Sequence, residues 1–180
     1  MTGPEIHDRV DGILRAWNAR DLDGFVSFMT PDVYWHDLGM PHPPAVGRDA
    51  VRRFSESALR AFPDFRYELR GAICIGEDGR SCVVPFTVHA TSTGVFNPPG
   101  FAPTGRSVRF AGLDYLQFRD GLVERIETRF DPLDPIEQLF GLPLRPAPGS
   151  WLERCLVGIQ RTRAASLRRG MSPRRAGAAV

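Results

Sequence analysis

At Pro63 the hydrophobic period of the sequence changes from a mostly helical one to a long run of strands, and that change constrains the fold more than any other feature. Up to Pro63 the apolar residues recur mostly at helical spacing. Ile6, Val10, Ile13, Leu14 and Trp17 make one stripe, and Leu22, Phe25, Val26, Phe28 and Met29 make a shorter one that starts at Asp21. Val51, Phe54, Ala58 and Ala61 make a third, behind Gly47-Arg48-Asp49. Beyond Pro63 the period is two. Residues 64–75, 81–93, 105–118 and 122–130 alternate as long strands, with Asp78-Gly79 and Asp120-Gly121 as hairpin turns. Residues 32–37 read as an earlier strand, between the second and third helices, and Leu133–Phe140 as a closing helix. Helices followed by a run of strands predict an α+β domain: a cone-shaped α+β barrel, its curved, mostly antiparallel sheet wrapped around three N-terminal helices. A strongly bent sheet leaves a cavity between itself and its helices, and chemistry is expected there.

With 180 residues, 42% of them hydrophobic, the chain has enough apolar side chain for one real core. Residues 1–145 are expected to form that domain. Pro146, Pro148 and Gly149 mark a boundary, and 146–180 reads as an extension: a short amphipathic helix on Trp151, Leu152, Cys155, Leu156 and Ile159, then a basic, disordered tail. Residues 145–180 carry 8 arginines against one glutamate, whereas the preceding 144 carry 15 arginines against 20 acids. The tail arginines lie among Ala, Gly, Ser and Pro without interleaved aromatics, so neither nucleic acid nor membrane is an expected partner. No stretch approaches the roughly 18 apolar residues of a membrane helix, and no basic start precedes an apolar run, which makes a cytoplasmic location the expectation. Cys74, Cys82 and Cys155 have neither disulfide nor zinc spacing and read as buried thiols.

Several residues stand out on the strands. In VYWHD, alternation puts Trp35 and Asp37 on one face and Tyr34 and His36 on the other. Asp37 is either a reactive carboxylate or a strand-end acid facing water. A shared metal for His36, Asp37 and His42 would need the strand to break, and no metal site is expected. In FAGLDYLQF, Gly112, Asp114, Leu116 and Phe118 share a face, so one acid sits in an apolar row. It must be neutral there, or paired with an arginine such as Arg106 or Arg109. His89 shares a face with Pro85, Thr87 and Thr91 and joins the cavity if that face is concave. Ile126, Thr128 and Phe130 form the less charged, inward face of the last strand.

Three segments carry a family resemblance: AWNARDLDGFVSFMTPDVYWHD, then PPAVGRDAV, then PTGRSVRFAGLDYLQFRDGLVERIETRFDPLDPIEQLFGLP. Over roughly residues 6–145 the chain resembles the SnoaL-like polyketide cyclases of the nuclear-transport-factor-two-like superfamily, which also holds ketosteroid isomerases, limonene-type epoxide hydrolases and noncatalytic binders. The resemblance places Asp37 where ketosteroid isomerases keep their proton-abstracting carboxylate. It places Asp114 where they keep the acid that hydrogen-bonds the substrate oxyanion. Three family features are missing. Thr128 stands where the cyclases and epoxide hydrolases carry a basic aspartate. Pro85 and Thr87 replace the arginine and aspartate of the epoxide hydrolases, and no tyrosine occupies the first helix near Ile13.

The resemblance therefore implies a small-molecule enzyme of secondary metabolism. It would be a cofactor-independent acid/base cyclase, isomerase or lyase acting on a polyketide- or terpenoid-like substrate, with Asp37, Asp114 and His89 as catalytic candidates. Trp17, Phe28, Trp35, Phe54, Thr87, Gly112, Thr128 and Phe130 are the expected substrate-binding residues for a flat or polycyclic apolar ligand. An open sheet face in this fold implies a homodimer. The alternative is a noncatalytic domain for apolar-ligand binding or dimerisation; epoxide hydrolysis ranks below both.

Overall fold

The computed structural model describes residues 1–37, 43–97 and 99–170, leaving aside the side chains of 169 and 170. The chain divides into two units, Met1–Leu142 and Pro143–Val180. In the first, helices α1 (Gly3–Asn18), α2 (Leu22–Ser27) and α3 (Arg48–Ala61) accompany a seven-stranded sheet, and α4 (Leu133–Phe140) follows its last strand. The strands are β1 (Met29–Asp37), β2 (Ala45–Val46), β3 (Arg66–Leu69), β4 (Cys74–Ile75), β5 (Ser81–Thr91), β6 (Ser107–Arg119) and β7 (Leu122–Phe130).

Helix α1 starts with a reciprocal cap: Thr2 accepts from the Glu5 backbone while the Glu5 carboxylate accepts from Thr2 N–H at 2.7 Å. Its apolar stripe is buried, with Ile6, Val10 and Trp17 almost inaccessible. The sheet runs β2-β1-β7-β6-β5-β3, with β4 also paired to β5, and among the described residues only the β1–β7 contact is parallel. The β6–β7 hairpin turns at Asp120 and Gly121, both at positive φ (52° and 77°), as a two-residue loop of this hand requires. The single long strand expected over 64–75 is two short ones. Gly71, at φ 100°, interrupts it, and β3 and β4 pair separately with β5.

Alternation decides which side chains meet the core. On β5, Cys82, Val84, Phe86, Val88 and Ala90 are buried. On β6 the matching face is Val108, Phe110, Gly112, Asp114, Leu116 and Phe118, since Asp114 stands opposite Val84 and Gly112 opposite Phe86. Two amide side chains finish the sheet where strands run out. Asn18 donates to Tyr67 O and accepts from Tyr67 N, both at 2.9 Å, along the free edge of β3. Gln138 accepts from Arg109 N at 2.8 Å and donates to Arg109 O at 2.9 Å, just beyond the stretch of β6 that β7 covers. Each amide supplies the donor and acceptor of a missing strand residue.

The second unit contains α5 (Trp151–Gly170). At 20 residues it is longer than the turn and a half suggested by its apolar spacing, and it takes in much of the segment expected to be disordered. Residues 171–180, the rest of that expected tail, lie outside the described residues. Trp151, Ile159 and Leu167 on α5 are exposed. No helix among the described residues is long and apolar enough to cross a membrane. Cys82 is buried, whereas Cys74 and Cys155 are exposed thiols, contrary to expectation; Cys74 lies on a two-residue strand too short to cover it.

Candidate functional site

Three neighbouring strands bring Asp37, Thr128 and Asp114 into one row. Asp37 on β1 is in register with Thr128 on β7, and Thr128 with Asp114 on β6. Strands lie about 4.8 Å apart, so the two aspartate α-carbons stand roughly 10 Å apart with Thr128 between them. Asp37 is buried at 9% exposure, and Thr128 is almost fully buried. The Trp35 indole N–H donates to Thr128 Oγ1 at 3.0 Å, and the Thr128 hydroxyl donates to Asp114 Oδ1 at 2.6 Å.

Asp114 is part-buried and makes no ion pair among the described residues. Arg106 instead donates to the Gln138 carbonyl, and Arg109 lies on the opposite face of β6. Burial is the main influence on the Asp114 carboxyl and pushes its pKa up; the Thr128 hydrogen bond opposes this, and the Asp37 charge adds to it. The result is a carboxyl raised from 3.8 to about 7.

The row borders a cavity of about 170 Å³ whose wall includes Asp37 and Thr128. Most of the remaining wall is aromatic or aliphatic. Trp17 from α1, Trp35 from β1, Phe54 from α3 and Phe130 from β7 all line it. The rings interlock edge to face, Trp35 against Phe54 at 5.1 Å and against Trp17 at 6.2 Å. Asp114 is not itself in the wall; it sits behind Thr128, which is.

Four expected site residues are placed elsewhere. His89 lies on the outer face of β5, partly exposed, with Nε2 3.4 Å from Glu68. The inward positions are the even-numbered ones, so the face shared by Pro85, Thr87 and His89 is not concave toward the cavity. Thr87 goes with His89, opposite Glu68 on β3 and Ala111 on β6. Gly112 does face inward, but the Phe86 ring occupies the space above it: a Cβ there would come within 2.4 Å of Phe86 Cζ and 2.6 Å of Arg129 O. Phe28 packs over Gly12 with the Arg9 guanidinium above its ring and does not reach the cavity.

Gly112→Ala is therefore expected to destabilise the domain by about 1–3 kcal/mol through overpacking, measured by urea unfolding. An unchanged midpoint would mean that Phe86 moves aside freely.

His36 faces away from Asp37, as expected, in edge contact with Tyr34. His42 lies outside the described residues. Among those described, no group of three His, Cys, Asp or Glu side chains could hold a metal ion.

Sequence reasoning missed much of the cavity wall. Phe96 and Phe101, from the Pro/Gly-rich loop, form an isolated antiparallel bridge and line the cavity. Leu139 and Phe140 of α4 line it too, Phe140 in edge contact with Phe101 at 5.7 Å. Tyr67 on β3 is another wall residue. Its signal was legible: RYEL is a strand, and Phe65 and Tyr67 share its apolar face.

A curved sheet folded with helices around an apolar cavity makes this an α+β domain, and two carboxylates lie in one of its cross-strand rows. The SnoaL-like domain matches residues 10–126, and the chain belongs to that family. Among solved structures, AclR of Streptomyces galilaeus, a candidate hydroxylase, is 26% identical with a TM-score of 0.66, the match covering 96% of this chain and 99% of that one. A candidate polyketide cyclase of Xanthomonas campestris pv. campestris shares the fold at 21% identity and a TM-score of 0.64, over 76% of this chain and 97% of its own. TsrD of Streptomyces laurentii does so at 19% identity and 0.67, over 79% and 99%. None of the curated proteins matches this sequence.

Proposed function

We propose that the protein is a cofactor-independent acid/base enzyme of secondary metabolism that moves a proton on a flat, ring-containing ketone of polyketide or terpenoid type. The observation that carries this reading is the row Asp37–Thr128–Asp114 beside an aromatic cavity. In the reaction, the Asp37 carboxylate takes a proton from the carbon next to a substrate carbonyl. The C–H electron pair becomes a C=C bond, and the carbonyl π pair moves onto oxygen. Asp114, neutral below about pH 7, keeps its proton on the oxygen that Thr128 does not use and, from behind Thr128, places no second negative charge beside the growing enolate.

Returning the proton to a different carbon isomerises the substrate. Attack of the enolate carbon on a second carbonyl of the same molecule closes a ring, and the new alkoxide then takes the proton from Asp37. Either path balances without an oxidant or a second substrate. AclR, similar over nearly the whole chain, is a candidate hydroxylase; hydroxylation would need an oxidant, whereas both paths above need none. The cavity wall instead suits general acid/base work on an apolar ring system.

Deuterium uptake by 2-tetralone, an enolisable bicyclic ketone, tests the reading directly. In deuterated buffer the protein is expected to speed exchange next to the carbonyl well above the buffer rate, followed by proton NMR. Binding of the ketone without faster exchange would favour a noncatalytic apolar-ligand binder.

A further inference from the structure

Helix α1 lacks the tyrosine with which related isomerases hold the substrate oxygen, yet a phenol reaches the cavity from another element. Tyr67 projects from β3, is in register with Val88 of β5, and lines the cavity. Its backbone is fixed on both sides: by the β5 ladder, and by the two hydrogen bonds from Asn18, which ends α1 one residue after Trp17. Its ring is held edge to face against Phe86 at 4.9 Å and Trp17 at 5.5 Å. An edge-strand side chain with this many constraints has little freedom to leave.

The hydroxyl contrasts with the ring. Of the polar side chains at the heart of the site, Trp35 donates to Thr128, Thr128 to Asp114, and Asp37 has partners of its own, while the Trp17 indole N–H is unpartnered but fully buried. The Tyr67 hydroxyl makes no hydrogen bond to a described residue. Yet the carboxylates of both Asp114 and Asp37 act on it. Burial first, then these two charges, hold the phenol well above its ordinary pKa, so it remains an O–H donor at any pH the protein meets. A fixed, protonated, unengaged donor in an apolar wall is what a single substrate oxygen requires.

We propose that Tyr67 is a catalytic residue that donates its phenolic hydrogen bond to the substrate's carbonyl oxygen, restricting this site to ring compounds that place a ketone against β3 and an acidic C–H toward β1. The assignment rests on the proton-transfer reading above. It adds the group that touches the oxygen directly, whereas Asp114 stands behind Thr128. As Asp37 removes the proton, charge grows on that oxygen and the bond from Tyr67 strengthens, which favours the transition state over the bound ketone.

The test compares 2-tetralone with tetralin, a ligand of the same shape that lacks the oxygen. Tyr67→Phe keeps the ring and its packing. It is expected to weaken 2-tetralone binding about fivefold to tenfold while leaving tetralin unchanged. The infrared carbonyl band of bound 2-tetralone, lowered in frequency by the wild-type protein, should return toward its value in an apolar solvent. Equal loss of both ligands would make Tyr67 only a wall, and an unchanged band would place the oxygen elsewhere; either result overturns the proposal. So would failure of the wild-type protein to bind 2-tetralone. If the Tyr67 effects appear but deuterium exchange is not accelerated, the oxygen site stands and the proton-transfer reading fails.

Discussion

Asp37→Asn is expected to slow deuterium exchange into 2-tetralone by about a hundredfold to ten-thousandfold, the range a positioned general base contributes. The amide occupies nearly the same volume at the end of β1 and still lines the cavity, but it has no lone pair basic enough to take a carbon-bound proton. Ligand affinity should change little, because the walls that hold the ring system are aromatic side chains of other elements. The expected signature is thus a fall in kcat with KM nearly unchanged, measured by initial exchange rates at several ketone concentrations. Equal rates for wild type and variant would remove Asp37 from the mechanism and leave the row as architecture.

Asp114→Asn should act on stability, with a sign unusual for a carboxylate. The folded protein holds the Asp114 proton up to about pH 7, while the unfolded chain releases it near 3.8. Between those values the native state binds more protons than the unfolded state, so this group's contribution falls as pH rises and is lost above about 7. Across that window the loss amounts to about 4 kcal/mol at most. Asparagine carries no charge at any of these pH values, and its side-chain oxygen can still accept from Thr128.

The variant should therefore match the wild type near about pH 4 and exceed its stability near about pH 8. Asp64 and Glu127, whose pKa values are lowered, give stability that is lost in acid, the opposite trend, but they are common to both proteins and cancel in the comparison. Urea unfolding at the two pH values is the measurement; parallel pH profiles would mean that Asp114 is ionised in the folded protein.

Much of this architecture was legible because it follows from periodicity. The switch from a helical to a two-residue repeat at Pro63 located the helices and strands, and strict alternation in VYWHD and FAGLDYLQF put Asp37 and Asp114 on inward faces. Alternation says which residues share a face, but not which face is concave. His89 and Thr87 were misplaced for that reason, since only the pairing of β5 with its neighbours shows that Phe86 and Val88 point in. Gly112 failed differently: its inward position was legible, but the ring that fills its space comes from another strand. The register joining Asp37, Thr128 and Asp114 was equally hidden, because the β1–β7 contact is parallel and spans 91 positions of sequence. The aromatic residues of the 95–104 loop and of α4 were unread as wall because a loop and a final helix carry no periodicity that points to a cavity.

The hydrogen-bonded string at the site has a direction set by one residue. An indole N–H can only donate, so Trp35 occupies a lone pair of Thr128 and leaves its hydroxyl proton to point at Asp114 Oδ1. That oxygen is then an acceptor, and a neutral Asp114 must carry its proton on the other. Trp35 thus acts as a polarity latch: phenylalanine at 35 would keep an aromatic wall but free the threonine rotor to reverse, and the acid would lose its single proton address.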